Sequence, residues 1–140
     1  MQEDPYEAMA RKLSERRSKI LGEYDWKTAE DLATSFGMSS SLVVEHWKLM
    51  GWAFSVWDAY DTRHPHEIYP MFQFADHKPI DCVRDIITIF GKDKSPWKLA
   101  MWFTSNNGWL PDQARPADVL TRYSQEVIEA ARRDAGGTGA

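Results

Sequence analysis

The residues best suited to metal chemistry lie near the middle of the chain. His64, His66 and Glu67 stand almost side by side, and His77 follows a little later. Two histidines separated by one residue can chelate Zn²⁺ or Ni²⁺, but a stable site needs three or four ligands that are held in place by further hydrogen bonds. Nothing else in this stretch supplies them, so we expect no metal site.

Motifs of the common enzyme classes are not found in the sequence. It contains no glycine-rich phosphate loop, no nucleophile elbow, no HExxH helix and no Cys–His pair in evident register. Cys82 is the one cysteine of the sequence, so a disulfide within one chain is excluded. It lies among apolar residues on a predicted helix, which indicates a small core residue. We therefore expect neither an enzyme nor a cofactor.

An apolar helix near residue 100 is the element around which the predicted fold is organised. The Ser-Pro pair at residues 95–96 predicts its start, because a proline at the first helical position has no N–H to leave unpaired. Residues 97–103 are apolar except Lys98, so this helix must lie in a core or under a second protein. Turn-forming residues at 104–108 end it, and Pro116 is expected to open another helix.

The order of sequence pieces around this helix resembles the toxin-binding domain of Xre/MbcA/ParS-like antitoxins. The pieces are WKLAMWF, TSNNGWL, ARPADVL and EVIEAARRD, and the resemblance covers residues 76–134. The family often has one or two glycines between the Trp-Leu and Arg-Pro pairs, where this chain has PDQA, so the turn there differs. The resemblance implies a cognate toxin of the RES type, which consumes NAD, and a complex that represses its own operon.

Six side chains are the toxin contacts to which this resemblance points. They are Trp97, Trp102, Trp109, Arg115, Arg132 and Arg133. Tryptophan is costly to leave in water and is enriched at the centres of protein interfaces, and this chain has seven. The alternative role is core packing, which we favour for Trp102 and Phe103. The glycine-rich tail after Arg133 is either a solvated end or, as the family implies, a segment that approaches the toxin.

The N-terminal part of the chain predicts a basic helix followed by a helix-turn-helix. Residues 7–21 carry the most basic run of the chain and only a thin apolar stripe. Ala33 and Gly37 have the spacing of a helix-turn-helix, in which the small residue lets two helices cross closely and the glycine makes the turn. The DNA-binding candidates are Arg11, Arg16, Arg17, Ser40, Ser41 and Lys48. A solvated helix face and a scaffolding hairpin are the alternatives, since Glu45 would repel phosphate.

Local sequence also predicts how these two helices begin and which sides they bury. Thr28 is a suitable N-cap for the first helix, with Asp31 in the capping-box position. Ser39 is a suitable N-cap for the second helix. The first helix is expected to bury Ala29, Leu32, Ala33 and Phe36. The second is expected to bury Leu42, Val43, His46 or Trp47, and Met50.

A short β-hairpin is predicted for residues 51–75. Aromatic and β-branched residues at 52–57 and 67–74 flank a polar loop, and Pro70 limits the second strand to a sheet edge or ends it. The hairpin is either a wing against DNA or a clamp between two helical units. We favour the clamp, because the acidic loop offers phosphate only one arginine, Arg63, and because a Phe-Gln-Phe like the one here often precedes the antitoxin domain.

Two further helices complete the prediction. Residues 80–90 have an apolar stripe at helical spacing that ends at Gly91, and this helix is expected to pack against the apolar helix near residue 100. Ser124 is expected to cap a last helix, whose final turn is basic in agreement with the helix dipole. Residues 1–6 and 135–140 are expected to be disordered.

The sequence therefore predicts a mainly α-helical protein in four parts. These are a basic helix and helix-turn-helix unit at 1–50, a β-hairpin connector at 51–75, a helical toxin-binding domain at 76–134 and a flexible tail at 135–140. No apolar run approaches the roughly 18 residues of a membrane span, and the N-terminus lacks the apolar region of a signal peptide. We expect a cytoplasmic protein without a membrane partner.

Charge narrows the choice of function. The net charge is −4, and residues 28–90 hold nine acidic and four basic side chains, which is unfavourable for a DNA reader in that region. The expected function is an antitoxin that binds and neutralises a RES-type toxin, forms a homo-oligomer and regulates its operon through operator DNA. The alternatives are a free-standing helix-turn-helix transcriptional regulator and an oligomerisation or scaffold module.

Overall fold

The computed structural model of the protein describes residues 4–58 and 66–136. Over these residues the chain is mainly helical, with a small amount of antiparallel β-structure. The α-helices are α1 Pro5–Glu23, α2 Ala29–Ser35, α3 Leu42–Leu49, α4 Asp81–Phe90, α5 Pro96–Thr104 and α6 Ser124–Gly136. The strands are β1 Trp26–Lys27, β2 Val56–Asp58, β3 His66–Pro70, β4 Phe74–Ala75 and β5 Lys78–Pro79.

Two helices begin at the caps that the sequence predicts. Thr28 Oγ1 accepts the backbone N–H of Asp31 at 3.2 Å, at the start of α2. Ser95 Oγ accepts the backbone N–H of Lys98 at 3.4 Å, at the start of α5. After α2 the chain turns at Gly37, whose φ of 72° lies in the left-handed region that favours glycine.

The first helix begins earlier than expected. Asp4 Oδ1 accepts the N–H of Tyr6 at 2.9 Å, and Pro5 occupies the first helical position, where it leaves no N–H unpaired. The expectation of disorder is therefore wrong for Pro5 and Tyr6, and residues 1–3 lie outside the described part of the chain. The helix reaches the rest of the protein near its other end, where Ile20 is buried.

The third helix differs from the prediction in both its cap and its buried face. Ser39 does not cap it, since the N–H of Leu42 is accepted by Ser40 Oγ at 3.1 Å. Of the predicted core residues only Trp47, the alternative to His46, is buried, together with Val44, which was not predicted; Leu42, Val43 and Met50 are exposed. The pattern misleads because apolar residues stand on more than one side of this short helix. Its orientation is set by Trp47, whose ring lies 6.4 Å from Phe36 and 5.8 Å from Phe74.

The predicted hairpin is present only in part. β2 pairs antiparallel with β3, but residues 52–55 form no strand, and β1 pairs with the opposite edge of β3. The strand order is β1-β3-β2, so β3 is central rather than at an edge. Pro70 is the last residue of β3, which agrees with its predicted role in ending that strand. The loop residues 59–65, including Arg63 and His64, lie outside the described residues.

The buried apolar side chains form two hydrophobic cores. The N-terminal core contains Leu32, Ala33, Val44, Trp47, Ala53 and Tyr69. The C-terminal core is built mainly from α4, α5 and α6, and α4 packs chiefly against α6 rather than against α5 as predicted. The end of α1, Trp26 and Phe54 also join the C-terminal core. Residues 51–75 therefore contribute to both cores, Ala53 and Tyr69 to the N-terminal core and Phe54 to the C-terminal core.

The Phe-Gln-Phe tripeptide lies between these two cores. Phe72 packs in the C-terminal core, with its ring 5.4 Å from that of Phe103, while Phe74 packs in the N-terminal core against Phe36 at 5.7 Å. Gln73 between them is fully buried. Its Oε1 accepts the N–H of Phe54 at 2.9 Å and its Nε2 donates to the carbonyl of the same residue at 2.8 Å. One side chain thus satisfies both backbone groups of a buried irregular segment.

The C-terminal segments show three further departures from the prediction. The segment opened by Pro116 is a single 3₁₀ turn, Pro116–Asp118, and not a full helix. Ser124 is the first residue of α6 rather than its cap, and α6 continues to Gly136, so the expected tail begins later. Residues 137–140 lie outside the described part. A helix of the length and apolarity needed to cross a membrane is not found in residues 4–58 or 66–136.

The Gln73→Leu substitution tests the importance of the buried amide. Leucine has a similar volume but leaves the N–H and the carbonyl of Phe54 unpaired in the core, at roughly 1–3 kcal/mol for each group. We expect the free energy of unfolding to fall by about 2–4 kcal/mol, measured by urea denaturation. Gln125→Leu, which changes an exposed glutamine of α6, is the matched control. A loss below about 0.5 kcal/mol for Gln73→Leu, as expected of a surface change, would contradict this role.

Candidate functional site

A groove of about 470 Å³ lies where the end of α5, the turn after it and the end of α6 meet. We name it the tryptophan groove. Its walls include Trp102 on α5, Asn107 and Trp109 on the turn, and Asp134 on α6. Arg16, Lys94 and Lys98 stand at its edge. The groove thus brings together three parts of the chain that are well separated in sequence, namely Arg16, residues 94–109 and Asp134.

The carboxylate of Asp134 holds the two tryptophans of the groove. Trp102 Nε1 donates to Asp134 Oδ2 at 2.7 Å, and Trp109 Nε1 donates to Asp134 Oδ1 at 3.1 Å. Asn107 Nδ2 also donates to Oδ2, at 3.4 Å. A carboxylate that accepts from several donors is a strong hydrogen-bonding centre, so the protein itself fixes both indole N–H groups.

The turn that carries Trp109 is shaped by the buried Asn107. The side-chain Oδ1 of Asn107 accepts the backbone N–H of Trp109 at 2.9 Å, and its backbone N–H donates to the carbonyl of Ala114 at 3.1 Å. This leaves Trp109 55% exposed, although its N–H is fixed. The guanidinium of Arg133 stacks over the Trp109 ring at 4.6 Å from its centre. The result is a rigid aromatic surface with a cation on one face.

Trp102 combines the two roles that the sequence leaves open. Its ring packs edge-on against Phe90 at 5.1 Å and against Phe103 at 5.3 Å, so most of it contributes to the core. Its N–H points toward the groove, where it meets Asp134. Phe103 is fully buried, as the core interpretation predicts.

The edge of the groove is basic. Arg16 reaches from α1 and donates to Ser105 Oγ at 2.7 Å, which ties α1 to the end of α5. Lys94 lies over the ring of Phe90 at 4.9 Å, and Lys98 is exposed on the first turn of α5. Three cations line the groove against the single carboxylate of Asp134, so its net charge is positive and favours an anionic group.

Two of the predicted toxin-contact residues already form hydrogen bonds or ion pairs with other residues of the chain. Trp97 is only 8% exposed and donates its Nε1–H to the carbonyl of Trp57 at 3.1 Å. Arg115 forms an ion pair with Glu23 of α1 at 2.6 Å. Hydrogen bonding to Tyr24 and to Glu23 raises the pKa of Arg115 above its ordinary value. Both residues therefore position the elements around the groove and do not line it.

The remaining predicted contacts lie on the outer face of α6. Arg132 Nη1 is 3.7 Å from Glu129 Oε2, and Arg133 Nε is 3.4 Å from Glu129 Oε1. Pairs as exposed as these contribute little to stability. Of the six predicted contact positions, the groove brings together Trp102, Trp109 and, through its stacking, Arg133.

The predicted DNA-binding residues make contacts in two different parts of the protein. On α1, Arg11 pairs with Glu15 at 3.1 Å, Arg16 bonds Ser105, and Arg17 lies over the Trp97 ring at 5.0 Å. At the start of α3, Ser40 Oγ accepts the N–H of Leu42, and Ser41 is the N-cap residue without a side-chain hydrogen bond. Lys48 of α3 pairs with Glu67 of β3. Most of these basic side chains therefore already have partners within the chain.

The histidines are not gathered into a metal site in the part of the chain that the structure describes. No group of three His, Cys, Asp or Glu residues there is placed to hold a metal ion. The ring of His77 stacks on Phe36 at 4.9 Å. Burial raises the pKa of Cys82 to about 11, with a further contribution from Asp85, so this thiol is neutral near pH 7.

Asp134 and Asn107 are the functional candidates that sequence reasoning missed. Asp134 follows two arginines near the end of a helix, where it looks like part of a solvated charge run, and Asn107 looks like a turn residue. A turn asparagine beside a tryptophan, together with an acidic residue on the last predicted helix, is the only available signal. Their meeting requires α6 to fold back beside α5.

Comparisons of the chain with protein-family profiles, with curated proteins and with solved structures gave no match. The likeness to the antitoxin domain therefore rests on the quoted sequence pieces alone. Three of those four pieces, WKLAMWF, TSNNGWL and EVIEAARRD, supply walls of the tryptophan groove.

The Glu67→Gln substitution tests whether Lys48 is bound internally. Burial tends to raise the pKa of Glu67, but hydrogen bonds from Lys48, Ser55 and Tyr69 lower it on balance below the ordinary 4.5. A lowered pKa contributes stability above pH 4.5, which is lost as the pH falls through the pKa of the folded state. We expect Glu67→Gln to lower stability at pH 7 by less than about 1 kcal/mol, because the pair is partly exposed.

The measurement is urea denaturation of both proteins between pH 7 and pH 3. The difference between wild type and Glu67→Gln should shrink as the pH falls from 4.5 through the lower pKa of the folded state, where the wild-type carboxylate becomes protonated. Glu126→Gln, which removes an exposed carboxylate of α6, is the control. A difference that stays constant across this range would show that the ion pair does not contribute.

The Asp134→Asn substitution tests the centre of the groove. A neutral amide accepts hydrogen bonds about half as strongly as a carboxylate, so the indole N–H signals of Trp102 and Trp109 should move in ¹H–¹⁵N correlation spectra. The N–H groups of Trp26 and Trp97 donate to backbone carbonyls and should stay in place. Glu129→Gln on the same helix is the control. Unchanged signals for both groove tryptophans would contradict the hydrogen bonds described.

Proposed function

We propose that this protein is an antitoxin that binds and neutralises a cognate toxin through the tryptophan groove. The proposal is supported by the resemblance of residues 76–134 to the toxin-binding domain of Xre/MbcA/ParS-like antitoxins. The pieces that carry the resemblance, WKLAMWF, TSNNGWL and EVIEAARRD, supply α5, the turn and α6, which together form the walls of the groove. The proposed partner is a toxin of the RES type, which consumes NAD.

The observation that carries the proposal is the exposed but immobilised ring of Trp109. Its N–H is held by Asp134, its backbone by Asn107, and one face by Arg133. An aromatic side chain that is ordered in advance loses little conformational entropy when a partner covers it, so most of its buried area contributes to affinity. Tryptophan and arginine are also the residues most often found at the centres of interfaces.

The charge around Trp109 favours an acidic segment of the toxin. Arg16, Lys94 and Lys98 border the groove, and Arg133 lies against the ring itself. Complementary charge at the edge of an interface speeds association and selects the partner, while the buried ring supplies the affinity. We therefore expect salt to slow the association more than it speeds dissociation.

We interpret α2 and α3, joined by the turn at Gly37, as a helix-turn-helix that serves association between proteins rather than DNA binding. The outward side of α3, where a DNA reader needs polar and basic side chains, carries Leu42, Val43 and Met50. The one lysine of α3, Lys48, is paired with Glu67.

The test compares two tryptophans of equal exposure. Trp109 and Trp57 are 55% and 56% exposed, but only Trp109 lies in the groove. We expect Trp109→Ala to lose about 2 kcal/mol of toxin affinity, roughly a thirtyfold rise in Kd, and Trp57→Ala to change it little. The antitoxin proposal predicts that an adjacent gene encodes the toxin, and the measurement is calorimetric titration with that gene's product, together with growth and NAD content of cells that express both proteins.

Two outcomes would overturn the proposal. Co-expression of the wild-type protein that leaves the growth defect and the NAD loss untouched would exclude neutralisation of that toxin. Equal loss of affinity in Trp109→Ala and Trp57→Ala would exclude the groove as the specific contact. Circular dichroism of both variants shows whether either has lost its fold.

A further inference from the structure

The outward side of α3 is an apolar surface that the chain itself leaves uncovered. Leu42, Val43, Leu49 and Met50 are 70%, 42%, 84% and 50% exposed. Leu42 and Leu49 lie on the side opposite the buried Val44 and Trp47, and Val43 and Met50 lie beside them, with the exposed His46 between the two pairs. Single exposed apolar residues are common, but four around one histidine on a two-turn helix are typical of a surface that another macromolecule covers.

A second uncovered apolar surface lies on the first half of α1, which we name the arm, residues 5–16. Tyr6, Met9 and Leu13 are 82%, 61% and 40% exposed and recur at helical spacing. The first buried residue of α1 is Ile20, beyond the arm. A helix of this length is only marginally stable in water without packing. The arm is therefore expected to gain its stability from a surface that packs on it.

The two surfaces have complementary charge. A shallow groove along the arm is bordered by Met9, Leu13, Lys12 and Arg16, so the charges beside its apolar side chains are basic. On α3, Glu45 lies one turn from both Leu42 and Leu49 and borders the apolar side. The remaining charge of α3, that of Lys48, is neutralised by Glu67. An arm laid on α3 would bring Lys12 toward Glu45 without opposing like charges.

We propose that the partner of both surfaces is a second copy of this chain, with the arm of each protomer packed on α3 of the other. Both surfaces are exposed in the same chain, so they do not meet within one protomer. In a dimer with two-fold symmetry, the contact of one arm with the partner's α3 is repeated by the other arm. Both surfaces of each protomer are then covered, and neither surface is left exposed to add a third copy to the dimer.

The area available agrees with a stable dimer. Burying a side chain of leucine or methionine size removes on the order of 100 Å² from water. The seven exposed side chains of one arm and one α3 thus offer roughly 700 Å², and two symmetric contacts about 1,400 Å², within the range of standard protein interfaces. One contact alone would fall short of that range, so the reciprocal arrangement is required.

The interface is separate from the proposed toxin site. The tryptophan groove is formed by α5, α6 and the turn between them, whereas the dimer uses the arm and α3. Arg16 is the residue nearest to both, because it borders the arm and bonds Ser105 at the groove. An experiment on association without toxin therefore tests the dimer independently of the proposed function.

The experiment is sedimentation velocity of the full chain, without toxin, over a range of concentrations. We expect the wild type to be a dimer. Met9→Asp in the arm and Leu49→Asp on α3 should each raise the dimer dissociation constant at least about tenfold, since each disrupts both contacts of a symmetric dimer. Trp57→Ala, which removes an exposed aromatic ring outside both surfaces, should leave the dimer unchanged.

Mixing the two variants gives the decisive result. A mixed dimer joins the intact arm of Leu49→Asp to the intact α3 of Met9→Asp, so one of its two contacts is unimpaired. The equimolar mixture should therefore associate at concentrations at which each variant alone is monomeric. Circular dichroism identical to that of the wild type confirms that both variants are folded, because these side chains are exposed and their loss costs little stability.

Three results would overturn the proposal. A wild-type monomer at high concentration would assign both surfaces to a different partner. A dimer that is broken by Leu49→Asp but not by Met9→Asp would show that α3 packs against α3 of the other copy. A mixture that associates no better than its separate components would exclude the pairing of the arm with α3.

Discussion

The structure depends on the hydrogen bonds between the amide of Gln73 and the backbone of Phe54. The chain around Phe54 is buried but forms no strand, so its N–H and carbonyl have no ladder partner and would otherwise be unsatisfied. Gln73 supplies both partners, and its neighbours Phe72 and Phe74 enter different cores. The same tripeptide therefore satisfies an irregular segment and fixes the N-terminal core against the C-terminal core.

Further contacts position α1 and the walls of the tryptophan groove against the C-terminal core. The pair of Arg115 with Glu23 and the bond of Arg16 to Ser105 hold α1 along the C-terminal core, while α4 packs on α6 and brings Asp134 beside the turn. The groove is thus formed by a carboxylate that arrives from a helix far along the sequence. The proposed toxin site and the proposed dimer surfaces are attached to the same rigid frame, on different elements.

Features with a local physical cause were predicted well from the sequence. The caps Thr28 and Ser95, the turn at Gly37 and the end of β3 at Pro70 each depend on residues a few positions apart. The predictions for α3 were less successful, because a helix with apolar residues on more than one side does not show which side meets the core. The strand β1 was missed because two residues carry no detectable period.

The sequence by itself determined most of the α-helices, the caps of α2 and α5, the mainly α-helical class and the tryptophan-rich pieces that resemble an antitoxin domain. Only the tertiary structure decided which tryptophans are buried, that Trp97 serves the core while Trp109 stays exposed, and that Asp134 joins Trp102 and Trp109. The reason is physical. Caps and turns arise from interactions between near neighbours, whereas burial and long-range hydrogen bonds depend on which helices pack together, and several packings share one apolar pattern.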